Sequence, residues 1–342
     1  MNYIPEHAST VGPLPAQPPL SHKTMDPDLG QQPRAPAPPA GLAVLTILVI
    51  TVAVILSRAQ PNGRVEAPFV ESPAVASLTE VPGFRSDAWF LPDDGLLGFV
   101  EVPAGPFSMG SDPELDREAF DNERWSAQTP QGRVTLPAYF IGRYEVTIAQ
   151  FAAFVEATGF NANDQTLRGP PDHPVANISW PDALAYSRWL NDTLRYSEST
   201  PTQLQERLDS GWEITLPSEP QWEKAARGSD SRIYPWGNTV DSGRANYGAD
   251  STQPVGSYPC PECPLGLLDF SGNVWEWTRS PYQPYPFDPS DDREELDRDA
   301  LWIIRGGSFI DPSRNIRAAV RGGGDPGARR PFIGFRLVIT AP

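Results

Sequence analysis

Residues 268–278 read LDFSGNVWEWT, and the rest of the chain is read outward from them. Asp269 and Glu276 flank a Ser-Gly-Asn turn that can direct backbone carbonyls inward. Two carboxylates and several carbonyls make the hard oxygen set of about six to eight ligands that Ca²⁺ requires. Spacing alone leaves a second reading open, an exposed turn running into a strand. On such a strand Trp275 and Trp277 project to opposite sides, one into a core and one toward a groove.

The 342-residue chain carries a formal charge of -16, which argues against nucleic acid or an anionic lipid surface as partner, since both reward clustered Lys and Arg. Cations or basic proteins fit better. Ten tryptophans and a 39% hydrophobic content supply a substantial core, while 40 prolines and 28 glycines imply turns and irregular segments at the expense of regular structure. The two cysteines stand together as Cys260-Pro-Glu-Cys263, too few for zinc unless other ligands join. They read as a structural pair, reduced or joined as a small disulfide in an oxidising compartment. Pro264 and Gly266 disfavour the helix that a thioredoxin-type motif wants next.

Residues 1–40 are rich in Pro and Ala with little bulky apolar content, and read as a disordered tail. GLAVLTILVITVAVILS, residues 41–57, is an uncharged apolar run long enough for a transmembrane helix. A weak basic n-region and the lack of a small-x-small cleavage site favour an anchor over a cleaved signal peptide. Lys23 and Arg34 before the run and Arg58 and Arg64 after it fix orientation poorly. The expectation is a single-pass membrane protein with its C-terminal domain extracytoplasmic, periplasmic in a bacterium.

A Pro-, Glu- and Ser-containing linker follows at 58–95, and a folded domain is expected over 96–342. FVEVPAGPFSMGS suggests a hairpin broken at Gly105, with further strands at 133–146, 302–309 and the C-terminus. Thr147…Gln150, Ser179…Asp182 and Ser218…Gln221 have capping-box spacing and start three helices. The first should bury Ile148, Phe151, Ala152 and Val155 and stop at Gly159; the third should stop at Gly228. Segments 196–211 and 283–300 read as insertions, and RGGG at 321–324 as a flexible turn without the Lys and Ser/Thr of a P-loop.

GLLDFSGNVWEW occurs with VPAGPFSMGS, YFIGRYEVTIAQFAAFV, HPVANISWPDALAYSRWL, ITLPSEPQWEKAARG, YPWGN, IIRGGSF and FIGFRLV. Over residues 97–339 this wording resembles the formylglycine-generating enzyme family, also called the sulfatase-modifying factor family. The resemblance implies an irregular, loop-rich α+β fold related to C-type lectins. It also implies structural Ca²⁺, with Asp269 and Glu276 as carboxylate ligands and Gly272 and Val274 offering carbonyls. A second calcium site would involve Asn246 and the carbonyl of Tyr247.

Enzymes of that family hold copper with two cysteines placed shortly after the Gly-Gly-Ser block, because a cuprous ion prefers thiolates. Here Ser308 is kept, Asp311 takes the first cysteine position, and the segment for the second is shortened. Phe332 replaces a family asparagine before Gly-Phe-Arg. Relatives that make ergothioneine resemble three-histidine iron enzymes, yet His173 is the only histidine outside the tail. Neither copper nor iron is therefore expected.

Two readings stand for Asp311, Arg317, Arg321, Trp275 and Ser308: they line the old groove and bind a ligand, or the arginines form structural ion pairs. The function expected is a non-catalytic binding or assembly module holding another membrane or extracytoplasmic protein. The alternative is an extracytoplasmic oxidoreductase or maturation enzyme with altered active-site residues.

Overall fold

The first packed residues lie ahead of the expected boundary at 96. In the computed structural model, which describes residues 80–288 and 300–342, β1 (Phe84–Arg85) pairs with β2 (Leu91–Pro92), and Val81, Ala88 and Leu91 are buried. These apolar residues are scattered among Pro, Asp and Ser without periodicity, so composition reads them as linker. The expected tail at 1–40, the transmembrane helix at 41–57 and the acidic stretch at 289–299 lie outside the described residues. No helix among the described residues is long and apolar enough to cross a membrane.

The hairpin read in 99–111 does not form, because its two halves pair with later strands and not with each other. β3 (Phe99–Val102) and β4 (Gly105–Met109) run along one arm, β5 (Gly132–Leu136) and β6 (Tyr139–Gly142) along the other, with β3 opposite β6 and β4 opposite β5. Gly105 at φ 131° and Pro137 interrupt the two arms side by side, so one long ladder divides between two sheets.

All three capping boxes form as their spacing predicts. Thr147 opens α1 (Ile148–Thr158), Ser179 opens α2 (Trp180–Tyr196), and each hydroxyl accepts the backbone N–H three residues on while the side chain there accepts in return. Segment 196–211 is not a plain insertion, because it contains α3 (Thr202–Asp209), which buries Leu204 and Leu208. β7 (Glu213–Thr215) follows, and Ser218 caps α4 (Glu219–Arg227) in the same way. On α1 the deeply buried residues are Ile148, Ala149, Phe151 and Phe154, while Ala152 and Val155 sit at the edge.

The remaining strands are β8 (Trp275–Pro281), β9 (Trp302–Arg305), β10 (Arg321–Gly324), β11 (Ile333–Phe335) and β12 (Val338–Thr340). One sheet runs β10-β9-β8-β11, with β11 parallel to β8 and the other pairs antiparallel. The other runs β3-β6-β12-β7 and is antiparallel throughout. RGGG is thus a strand and not a turn. A Cβ at Gly324 would lie 2.4 Å from the Trp277 ring, so glycine lets β10 pass over the tryptophan.

The main core joins α1, α2 and both sheets through Phe151, Trp180, Tyr186, Trp277, Trp302 and Phe335. Trp180 and Trp302 stack with centroids 3.9 Å apart, and Trp180 donates its indole N–H to the Thr278 carbonyl at 2.8 Å.

The turn in the opening stretch is set by Gly272, which has φ 79° and would place a Cβ 2.1 Å from the Asn246 carbonyl oxygen. Gly272→Ala is expected to cost about 3 kcal/mol and to lower Tm by roughly 6 °C or more in a thermal melt. Gly248→Ala, with φ 58° but nothing within 4 Å of the added carbon, should cost only about 1 kcal/mol.

Candidate functional site

Strand β8 and the loop before it carry the candidate metal residues. Glu276 is fully buried, and both its oxygens are engaged: Arg336 donates from Nε and Nη2 at 2.6 Å each, and Trp222 Nε1 donates at 2.6 Å. Arg336 also donates to the carbonyls of Gly142 and Leu268 at 3.1 and 3.2 Å and lies 3.6 Å over the Phe270 ring. A cation at Glu276 would therefore share oxygens that already have partners.

Asp269, at φ 60°, accepts the Gly256 N–H at 2.6 Å. Burial pushes its carboxyl up to about 6, against the opposing pull of that N–H and of Arg336. Beside it stands Glu145, in the turn between β6 and α1, which sequence reasoning did not single out. Its carboxyl is buried, no donor reaches either oxygen, its side chain shares a hydrogen bond with the Asp269 carboxyl, and burial followed by the Asp269 charge pushes it well above the usual range. Glu145 borders a small cavity of about 30 Å³ beneath β1 and β2, room for about two waters. The Tyr186 side chain also lines that cavity, and its hydroxyl has no partner.

Three carboxylates, Glu145, Asp269 and Glu276, thus face one guanidinium. Two buried negative charges remain, and a low-dielectric site tolerates them only as protonated acids or beside a cation. Among the described residues no three His, Cys, Asp or Glu side chains converge as a metal cluster. A hard cation here would lean on the oxygens of Glu145 and Asp269, which are of the type that suits Ca²⁺. Asn246 spends its NH₂ group on the Ser251 carbonyl at 3.0 Å and on Asn273 Oδ1 at 3.2 Å, and Tyr247 packs against the cluster of Tyr234, Ala245 and Ile316.

The groove residues divide. Asp311, Ser308 and Trp275 do come together: Asp311 Oδ2 accepts from Ser308 Oγ at 2.6 Å, the Ser308 N–H at 3.0 Å and Trp275 Nε1 at 2.9 Å. Asn315 donates to Oδ1 at 2.8 Å. Arg317 and Arg321 are not groove residues. Arg317 is buried against Asp116 and Glu123, while Arg321 makes a bidentate pair with Glu219 at 2.8 and 2.7 Å.

The tryptophans split as alternation predicts. Trp277 is fully buried and Trp275 reaches Asp311. Phe309, next to Ser308, helps line a cleft of about 220 Å³ together with His173, Thr252, Asn177 and Arg168. Cys260 and Cys263 are joined as a disulfide, away from these residues in the sequence.

The family model of the sulfatase-modifying factor enzyme 1-like domain matches residues 93–341, and the chain belongs to that family. It is 30% identical to hercynine oxygenase of Mycolicibacterium thermoresistibile over 278 residues, covering 68% of this chain and 56% of the oxygenase. It is 27% identical to inactive C-alpha-formylglycine-generating enzyme 2 of Bos taurus over 334 residues, covering 78% of this chain and 97% of that protein. The chain spans between 38% and 60% of the length of the first curated relatives it matches. Among solved structures, PvdO from Pseudomonas aeruginosa superposes with a TM-score of 0.56 at 25% identity, over 70% of this chain and 93% of that one.

The acid cluster sets a pH dependence whose sign follows from the raised carboxyls. Burial on folding raises the Asp269 carboxyl from 3.8 to about 6, so its contribution is complete below about pH 4 and declines as pH rises through 6. In EGTA, thermal melts should therefore show about 2 kcal/mol less stability at pH 7.5 than at pH 4.5 from this group. Added calcium should restore Tm at pH 7.5 and do little at pH 4.5. Equal EGTA and calcium curves at pH 7.5 would remove the cation from this site.

Proposed function

We propose that this chain is a membrane-anchored, non-catalytic member of the family, a calcium-stabilised binding or assembly module displayed on the extracytoplasmic side. One observation carries the reading. The position that family oxidases fill with a copper-binding cysteine holds Asp311, whose carboxylate takes four hydrogen bonds from Ser308, Trp275 and Asn315. A carboxylate so engaged serves to fix the loop, and the chain's two cysteines are paired with each other elsewhere. The neighbouring cleft beside Phe309 offers a partner segment His173, Thr252, Asn177 and Arg168 as polar contacts.

Likeness to an inactive formylglycine-generating enzyme paralogue supports a recognition role, and fold alone does not require an activity. Calcium would be held by Asp269 and Glu145 with the carbonyls of Gly272 and Val274, and would act by neutralising the buried acids. The apolar run at 41–57 supplies the anchor, and the formal net charge of -16 favours a basic or neutral protein partner over nucleic acid.

The test uses the full chain purified from membranes. Supplied with cuprous ion, a thiol reductant, oxygen and a cysteine-containing peptide, it should form no aldehyde and consume no oxygen above the buffer rate. It should also copurify with less than stoichiometric copper or iron. Aldehyde formation, or one equivalent of either metal bound near Asp311, would overturn the reading. Asp311→Ala should lower Tm by about 8 °C or more, since four hydrogen bonds of about 1 kcal/mol each are lost. Deleting residues 41–57 should move the chain from the membrane to the soluble fraction.

A further inference from the structure

A second concave site lies away from the acid cluster and from Asp311. Trp236 sits in a tight loop closed by two hydrogen bonds between Tyr234 and Gly237, at 2.8 and 3.0 Å. Its indole N–H is spent on the Thr239 carbonyl at 2.8 Å, and one ring face stacks on the buried Tyr234, with centroids 5.2 Å apart and planes 9° from parallel. The indole thus contributes to the wall of an open dish of about 300 Å³.

Polar groups surround that wall. Arg244 donates to Glu262 Oε1 at 2.9 Å and to the Pro259 carbonyl at 2.7 Å, and its Nε lies 3.6 Å from Asp241 Oδ2. Both carboxylates are about half exposed, at 49% and 51%. Asn238 uses its carbonyl oxygen on the Ile233 N–H at 3.0 Å, which leaves its NH₂ group as a donor on the rim.

We propose that this dish binds a neutral pyranose unit of a glycan. The chemistry narrows to that class by elimination. Two carboxylates repel an anion, so phosphate and nucleotide ligands do not fit. Arg244 stands between the two carboxylates and offsets one of their two charges, so a bare cation brought beside its guanidinium gains little. A purely apolar ligand would leave the charged rim unmatched.

A pyranose has what remains. Its face of polarised C–H groups packs on an electron-rich indole, and its adjacent hydroxyls donate to the carboxylate oxygens and accept from Arg244 and Asn238. The dish has room for one or two sugar rings, and its loop is held by internal hydrogen bonds before any ligand arrives, which limits the ordering cost of binding. Hydroxyl recognition by carboxylates also accounts for keeping Asp241 and Glu262 half exposed yet tethered through one arginine.

The experiment is saturation-transfer NMR on the full chain in a detergent without a sugar headgroup. The probes are methyl β-glucopyranoside, methyl α-mannopyranoside, lactose and N,N′-diacetylchitobiose. At least one should bind with a Kd of about 1 mM, with the strongest transfer to the ring C–H protons. Trp236→Ala should weaken that binding at least about tenfold, and Glu262→Ala and Asp241→Ala about threefold each, whereas Asp311→Ala should leave it unchanged. Should Trp236→Ala fail to fold by its melting curve, the two exposed carboxylate variants decide. No transfer from any probe up to about 20 mM, or binding that survives the tryptophan or both carboxylate substitutions, overturns the proposal.

Discussion

The ion pair between Arg336 and Glu276 holds the two larger sheets to each other. Glu276 lies in β8 of one sheet; Arg336 stands between β11 and β12, and its guanidinium reaches the carbonyl of Gly142 at the end of β6 in the other. Both side chains are fully buried. Desolvating two charges is costly, and the pair is tolerable because further contacts complete it: Trp222, the Leu268 carbonyl and the Phe270 ring. Breaking one partner would leave the other charge buried and uncompensated, which is why the loop at 268–274 has so little latitude.

That same arrangement defines what is left over. Arg336 satisfies Glu276 fully, so the charge deficit of the cluster falls on Asp269 and Glu145, and Glu145 has no donor at all. A protein interior can retain such a carboxylate by protonating it or by keeping a cation beside it. The buried Glu145 is thus a stronger reason for a metal in this loop than the spacing of Asp269 and Glu276, because Glu276 already has the partner it needs.

A comparable economy appears around Asp311 and on α4. Asp311 draws Ser308, Trp275 and Asn315 into one hydrogen-bonded unit, so the loop is closed by a carboxylate. On α4, Glu219 and Glu223 sit one turn apart on the buried face and meet Arg321, Arg305 and Arg227. Four helical residues apart is the spacing that lets two acids serve neighbouring strands. Arg321 is taken up in this network and Arg317 in another, with Asp116 and Glu123. Both are lost to any groove.

Much of the fold was legible where the physics is local. Each of the three helix starts follows from a hydroxyl and an acceptor three residues apart, the Trp275/Trp277 split follows from strand alternation, and the family follows from ordered motifs. Local reading failed where partners are distant. It took RGGG for a turn, since nothing in four residues says that Trp277 will lie across them, and it took 81–95 for linker, since its apolar residues have no period. It could not tell that Arg336 would pair with Glu276, or that Glu145 would stand beside Asp269. The residue types and their order determined which charges and rings this protein possesses. Only the tertiary structure decided which of them meet in the low-dielectric interior, because the energy of a buried charge depends on neighbours that lie scores of residues away along the chain.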